Sequence, residues 1–170
     1  MKRLVPTGEM TLGPFFPREF AQGANDLTTV DGKKAAGEVI EISGCVRQDD
    51  GKPLDNVVLE IWQADAQGRT DNPGFLGWGR AATDQDGKYV FRTVKPGAIE
   101  GRAAHVNFIV LYSGLMRALH TTMFFDASAD PVLDAVPAER RSILIGQKTS
   151  SGYRFDIRLR GAGETPFFDD

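Results

Sequence analysis

Ile40, Ile42, Gly44 and Val46 alternate with Glu41, Ser43 and Arg47, a period of two that predicts a half-buried strand. A turn cluster, Asp49-Asp50-Gly51-Lys52-Pro53, ends it. Residues 56–63 place Val57, Leu59 and Ile61 on one face; Val58 and Trp62 add apolar groups to the other, which predicts a strand covered on both sides. Asp84 and Asp86 shape a turn at Gly87, after which Tyr89 and Phe91 alternate with Lys88 and Arg92 over 88–94. Pro96-Gly97 closes that strand. Residues 106–112 are almost continuously apolar, as expected of a central strand buried on both faces, and 119–125 follow a Ser113-Gly114 turn. Residues 137–141 read as one short helical turn opened by Pro137. Near the C-terminus Tyr153, Phe155, Ile157 and Leu159 face inward while Arg154, Asp156, Arg158 and Arg160 face out.

Roughly seven short strands, frequent turns and no amphipathic segment of helix length predict a mostly β fold, an antiparallel β-sandwich with little helix. Residues 1–38 show no clear period and are rich in Gly, Pro, Asn and Asp. They read as an extended arm that packs on the body or on a partner, with 39–170 as the sandwich domain. Leu12, Phe15, Phe16 and Phe20 on that arm call for an apolar surface to lie on.

Composition narrows the classes little. Apolar content of 41%, charged content of 25% and a net charge of −3 are ordinary for a globular chain and give no support to a nucleic-acid or anionic-membrane partner. No apolar run approaches about 18 residues, and no apolar stretch of signal-peptide type follows Met1-Lys2-Arg3. The single cysteine, Cys45, excludes an intrachain disulfide, fits a cytoplasmic location, and reads as a small apolar core residue.

Candidate chemistry centres on Ala104-His105-Val106-Asn107-Phe108. Residues i and i+2 of a strand share a face, so a His-x-His pair there could chelate a metal ion. Asn107 replaces the second imidazole with a carboxamide, a far poorer ligand. The other histidine, His120, lies on another stretch and reads as a satisfied core residue; Trp62 and Trp78 read as packing groups. Arg140-Arg141 could meet carboxylates across a subunit contact or lie in solvent. Glu60, Asp65 and Asp84 form no acid/base dyad, and there is no Walker loop, nucleophile elbow or zinc spacing.

Three segments carry a family resemblance: Leu59-Glu60-Ile61-Trp62-Gln63-Ala64-Asp65-Ala66-Gln67-Gly68-Arg69, then Gly79-Arg80-Ala81-Ala82-Thr83-Asp84, then Gly87-Lys88-Tyr89-Val90-Phe91-Arg92-Thr93-Val94-Lys95-Pro96-Gly97. In that order they resemble the intradiol ring-cleavage dioxygenases, from roughly Thr11 to Asp170. The turn with Gly51-Lys52-Pro53-Leu54 and the Thr83 to Phe91 pattern also resemble prealbumin-like sandwich modules without enzymatic role. The resemblance implies a family that opens a catechol ring between its hydroxyl-bearing carbons with both atoms of O2. Its iron is ferric and held by two tyrosinates and two histidines.

Carried over by position, the first tyrosine is Thr70 here, and the second falls on Ala98-Ile99-Glu100. His105 matches one histidine and Asn107 stands for the other, so the resemblance implies a degenerate metal site at Thr70, His105 and Asn107 with no metal on this chain. One branch of the family pairs an iron-bearing β subunit with a homologous, iron-free α subunit. The C-terminal run 152–169, with 119–121 leading into 124–126, resembles the α type. The implied partner is a homologous β subunit carrying Fe(III), in a higher-order αβ oligomer with a small aromatic substrate at the αβ site. Thr11, Gly13 and Pro14 would line part of the partner's substrate pocket, and no catalytic residue would lie on this chain. Two alternatives remain open: a homomeric intradiol enzyme with an atypical metal shell, or a non-enzymatic prealbumin-like binding or assembly module.

Overall fold

A computed structural model describes residues 16–99 and 101–169. After a single 3-10 turn at Arg18–Ala21, a small hairpin joins β1 (Thr29–Val30) to β2 (Lys33–Lys34). The body follows with β3 (Val39–Arg47), β4 (Val58–Trp62), β5 (Trp78–Ala82), β6 (Lys88–Val94), β7 (His105–Leu111) and β8 (Leu119–Phe124). Two short helices, α1 (Pro131–Ala135) and α2 (Ala138–Arg141), precede β9 (Gln147–Lys148), β10 (Gly152–Arg154) and β11 (Ile157–Arg158). One sheet sets β3 between β6 and the pair β10 and β11, with β9 outside β10; the other runs β5-β4-β7-β8. The two sheets make the expected sandwich.

Alternation decides what fills it. Ile40, Ile42 and Val46 of β3, Tyr89 and Phe91 of β6, Leu59 and Ile61 of β4, and Val106, Phe108 and Val110 of β7 are all buried in one core. Phe91, Phe108, Phe124 and Phe155 are fully enclosed, each contributing about 2–3 kcal/mol by removal from water. The helical turn at 137–141 forms as expected, with Pro137 at its N-cap, and α1 precedes it, capped by the Asp130 carboxylate on the Val132 and Leu133 N–H groups.

Four expectations are corrected. β7 is central in its sheet but only partly covered on its outer face: His105 is buried there, Asn107 exposed and Ile109 half-buried, because among the described residues no continuous layer lies over that face. Trp62 of β4 is 49% exposed for the same reason, so β4 is not covered on both sides. β5 was not foreseen as a strand, since Gly79, Arg80, Ala81 and Ala82 carry little apolar signal. Its small residues admit the arm: a β-carbon on Gly79 would sit 2.5 Å from Leu27 Cδ1. The C-terminal alternation, finally, is not one antiparallel strand. β10, entered through a short hairpin from β9, and β11 both lie parallel to β3.

Residues 24–27 bond to both sheets. Arg80 N donates to Ala24 O at 2.9 Å, Arg92 N to Asn25 O at 2.8 Å, and Leu27 N to Arg92 O at 2.8 Å. This closes the otherwise open side between β5 and β6, and buries Leu27.

Candidate functional site

The β7 pleat sends His105 and Asn107 to the outer face of the four-stranded sheet, as the i, i+2 spacing requires. They meet different surroundings there. His105 is 5% exposed, paired with Phe124 of β8, whose ring centroid is 6.0 Å from the imidazole's. Its Nδ1 lies 2.7 Å from Ala103 O, and a carbonyl only accepts, so Nδ1 carries the proton. Burial, reinforced by the Arg102 guanidinium, lowers the imidazole pKa below its usual value and keeps the ring neutral at pH 7. Asn107 sits across from Thr122, whose Oγ1 donates to Asn107 Oδ1 at 2.9 Å.

Thr70 is exposed in the loop between β4 and β5. That loop is organised by Asp65, which accepts from the backbone N–H of Gln67 and Arg69, the Arg69 guanidinium and Asn72 Nδ2. It is stitched to the 95–99 segment by Gly97 N donating to Asp65 O at 2.9 Å, and Arg102 N in turn donates to Ile99 O at 2.8 Å. Asp130 joins these segments to α1: its carboxylate accepts from Arg102 Nε at 2.7 Å and Ala103 N at 2.9 Å while capping α1. Burial would raise the Asp130 pKa, but the Arg102, Val132 and Ala103 donors outweigh it and hold it low.

A ferric ion does not fit this donor set. His105 is an imidazole, Asn107 a neutral carboxamide already hydrogen-bonded, and Thr70 a solvated hydroxyl; Ala98 and Ile99 carry no side-chain oxygen, and Glu100 lies outside the described residues. Tyr89 is spent in the core, its hydroxyl donating to Phe155 O. Among the described residues no group of three or more His, Cys, Asp or Glu side chains could hold a metal ion.

The sequence reading missed what surrounds this corner. Trp62, Arg102, Asn107, Ile109, His120 and Phe168, among others, line a cavity of about 550 Å³ on the same outer face. Cross-strand register assembles it: Trp62 faces Asn107 and Asn107 faces Thr122, while Ile109 faces His120. His120 therefore lines the cavity, half-buried, instead of belonging to the core. Trp62 and Trp78 likewise lie on this face, ring centroids 6.3 Å apart, with Arg80 stacked 5.1 Å from the Trp78 ring and paired to Glu60. Register between strands is the only signal that could have found these partners.

Other candidates fall elsewhere. Arg140 donates to Glu164 O and Arg141 to Val136 O and Asp134, so both hold the molecule's own backbone. Cys45 is buried, its Sγ 3.3 Å from Asp86 O, and burial raises its pKa, which disfavours a reactive thiolate. A larger recess of about 720 Å³ lies on the other sheet beneath residues 21–25, but Arg154 and Lys88 on its wall already pair with Asp156 and Asp86. Thr11, Gly13 and Pro14 lie outside the described residues. Among the described residues no helix is long and apolar enough to cross a membrane.

The two packed sheets and the recess on the outer face define a β-sandwich protein with a pocket on one sheet. A protein-family model described as Dioxygenase matches residues 11–161. The protocatechuate 3,4-dioxygenase alpha chain of Burkholderia cepacia is 34% identical over 196 aligned positions, covering 99% of this chain and 100% of the relative. That of Pseudomonas putida is 36% identical over 195, covering 98% and 97%. The Burkholderia cepacia beta chain is also 34% identical, covering 96% of this chain and 84% of its own. Among solved structures, the dioxygenase domain of a carbohydrate-binding fusion from Streptomyces sp. SirexAA-E superposes with a TM-score of 0.62 at 28% identity, over 93% of this chain and 100% of that one. The chain belongs to the intradiol ring-cleavage dioxygenase family.

Proposed function

We propose that this chain is the iron-free α subunit of a protocatechuate 3,4-dioxygenase and works only with a homologous β subunit. The pair would convert protocatechuate and O2 to 3-carboxy-cis,cis-muconate in the cytoplasm. Identity separates the α and β types only narrowly: the alpha chains stand at 34% and 36% over nearly their full length, the beta chain at 34% over 84% of its own. The donor set carries the reading: one imidazole survives where two histidines and two tyrosines would be needed, and its neighbour Asn107 is engaged by Thr122. The partner would supply Fe(III) and the residues that act on the ring, and this chain would complete the pocket and build the αβ oligomer. Thr11, Gly13 and Pro14 are its proposed contribution to the pocket wall, where Gly permits close approach and Pro stiffens the segment.

The test is co-expression of the chain with a β-type partner. The expected result is copurification, iron in the complex, and protocatechuate-dependent O2 uptake by the complex but not by the chain alone. The isolated chain carrying stoichiometric ferric iron and turning over a catechol would overturn the proposal. A stable homo-oligomer that ignores every β-type partner would do so equally.

A further inference from the structure

Arg47 and Arg158 stand directly opposite one another on the parallel pair β3 and β11. Their neighbours Val46 and Ile157 also face each other and are buried in the core, so alternation turns both arginines to the outer face of that sheet. Like charges in direct cross-strand register repel. Each guanidinium is tethered by one nitrogen to a loop carbonyl: Arg47 Nη1 donates to Gly51 O at 2.8 Å, and Arg158 Nη1 to Ala162 O at 2.8 Å. Among the described residues neither side chain has a further hydrogen bond or an ion pair, which leaves Nε and Nη2 of both uncommitted. The carboxylates close by are engaged elsewhere. Asp156 pairs with Arg154 and accepts the Cys45 N–H, and Asp49 lies 3.7 Å from Arg160 Nε. Both arginines line one recess of about 330 Å³, to which Ile143 and Ile145 add half-buried apolar lining.

We propose that Arg47 and Arg158 form a binding site for a phosphate group, held jointly by the two guanidiniums in this recess. Two facing cations call for a ligand with two negative charges, which a single carboxylate does not supply. A guanidinium fork also matches the spacing of phosphate oxygens. The tethers to Gly51 and Ala162 hold both side chains in place before the ligand arrives, so less side-chain freedom is lost on binding. The site lies on the other sheet from the recess at Asn107 and shares no residue with it. Phosphate binding here is independent of pairing with a β subunit.

Calorimetric titration of the full chain, at constant ionic strength and slightly above neutral pH, is expected to show saturable binding of inorganic phosphate. Acetate should bind at least about tenfold more weakly. Phosphate should also raise the thermal midpoint, as a ligand of the folded state alone does. Arg47→Gln and Arg158→Gln should each weaken phosphate by at least about tenfold. Arg117→Gln, which removes the same charge from a residue paired with Asp169, should leave it unchanged. Phenyl phosphate separates the two sources of the group: tighter binding than inorganic phosphate assigns the site to a small monoester resting on Ile143 and Ile145, equal or weaker binding to the free ion, and either supports the site. No saturation, acetate matching phosphate, or equal effects of R47Q, R158Q and R117Q would overturn the inference. The phosphate–acetate comparison on the wild-type chain decides the matter even if a variant does not fold.

Discussion

Asp65 shows how one side chain can hold a loop. Its carboxylate side chain is 1% exposed, and burial alone would raise its pKa. The backbone N–H of Arg69, Asn72 Nδ2, the Arg69 guanidinium and the N–H of Gln67 outweigh that and bring it to about 2. A pKa lowered on folding means that the stabilisation is present above about pH 4 and is lost as pH falls from there through 2. About 2 kcal/mol of unfolding free energy is expected to disappear across that window. Asp65→Asn should be about 2 kcal/mol less stable at pH 7 and flatter between pH 4 and 2, as read by urea unfolding at several pH values. From the sequence, Asp65 could be set aside as a catalytic acid, but its role as loop organiser depends on donors up to seven residues away. Asp84 was more legible. As expected it shapes the turn at Gly87, accepting the N–H of Asp86 and Lys88, because an Asx turn needs only near neighbours.

At the scale of the element, the join between β10 and β11 is the least ordinary feature. Register with β3 is kept through it, Arg154 facing Ser43 and Ile157 facing Val46. Between them Phe155 N donates to Ser43 O at 2.8 Å, while Cys45 N is taken by the Asp156 side chain at 2.9 Å instead of by a ladder carbonyl. Phe155 O turns inward over Gly44 and accepts the Tyr89 hydroxyl. A β-carbon at Gly44 would fall on that carbonyl, so Gly44→Ala is expected to cost more than about 2 kcal/mol. Tyr89→Phe leaves the buried carbonyl without its donor and should cost about 1–2 kcal/mol, lowering the urea midpoint with the slope unchanged. The alternation of Tyr153, Phe155 and Ile157 was legible because a strand's two faces are written two residues apart. The break and the parallel pairing were not, since both depend on Gly44, Cys45 and Tyr89, far away in the chain.

Across the whole molecule the two sheets are tied by Gln63, next to β4. Its Nε2 donates to Val94 O at 2.8 Å and Ala64 O at 3.1 Å, and its Oε1 accepts from Thr93 Oγ1 at 2.9 Å. Gln63→Leu fills the same space but removes the side-chain partner of two carbonyls and a buried hydroxyl. A loss of about 2–3 kcal/mol is expected by chemical denaturation. Leu27 closes the other side of the sandwich from the arm, 5% exposed; Leu27→Ala is expected to cost about 2–4 kcal/mol and to speed hydrogen exchange at the Arg80 and Arg92 amides. If the chain is a companion to an iron-bearing subunit, these losses should reduce recovery of the complex in proportion to stability, without altering the iron content of what is recovered.

By itself the sequence determined the strand periods, the β class and the turns, because each is a matter of residue type and near-neighbour spacing. Only the tertiary structure decided which faces stay open. Val58 is buried and Trp62 exposed on one short strand, and on the almost continuously apolar β7 His105 is buried while Asn107, on the same face, is exposed. It also decided that His120, Thr122, Arg102 and Trp62 would gather round Asn107 in one cavity. Burial and neighbourhood are set by the layer that lies on top and by the register of the strand alongside, and neither is encoded within reach of the residue concerned.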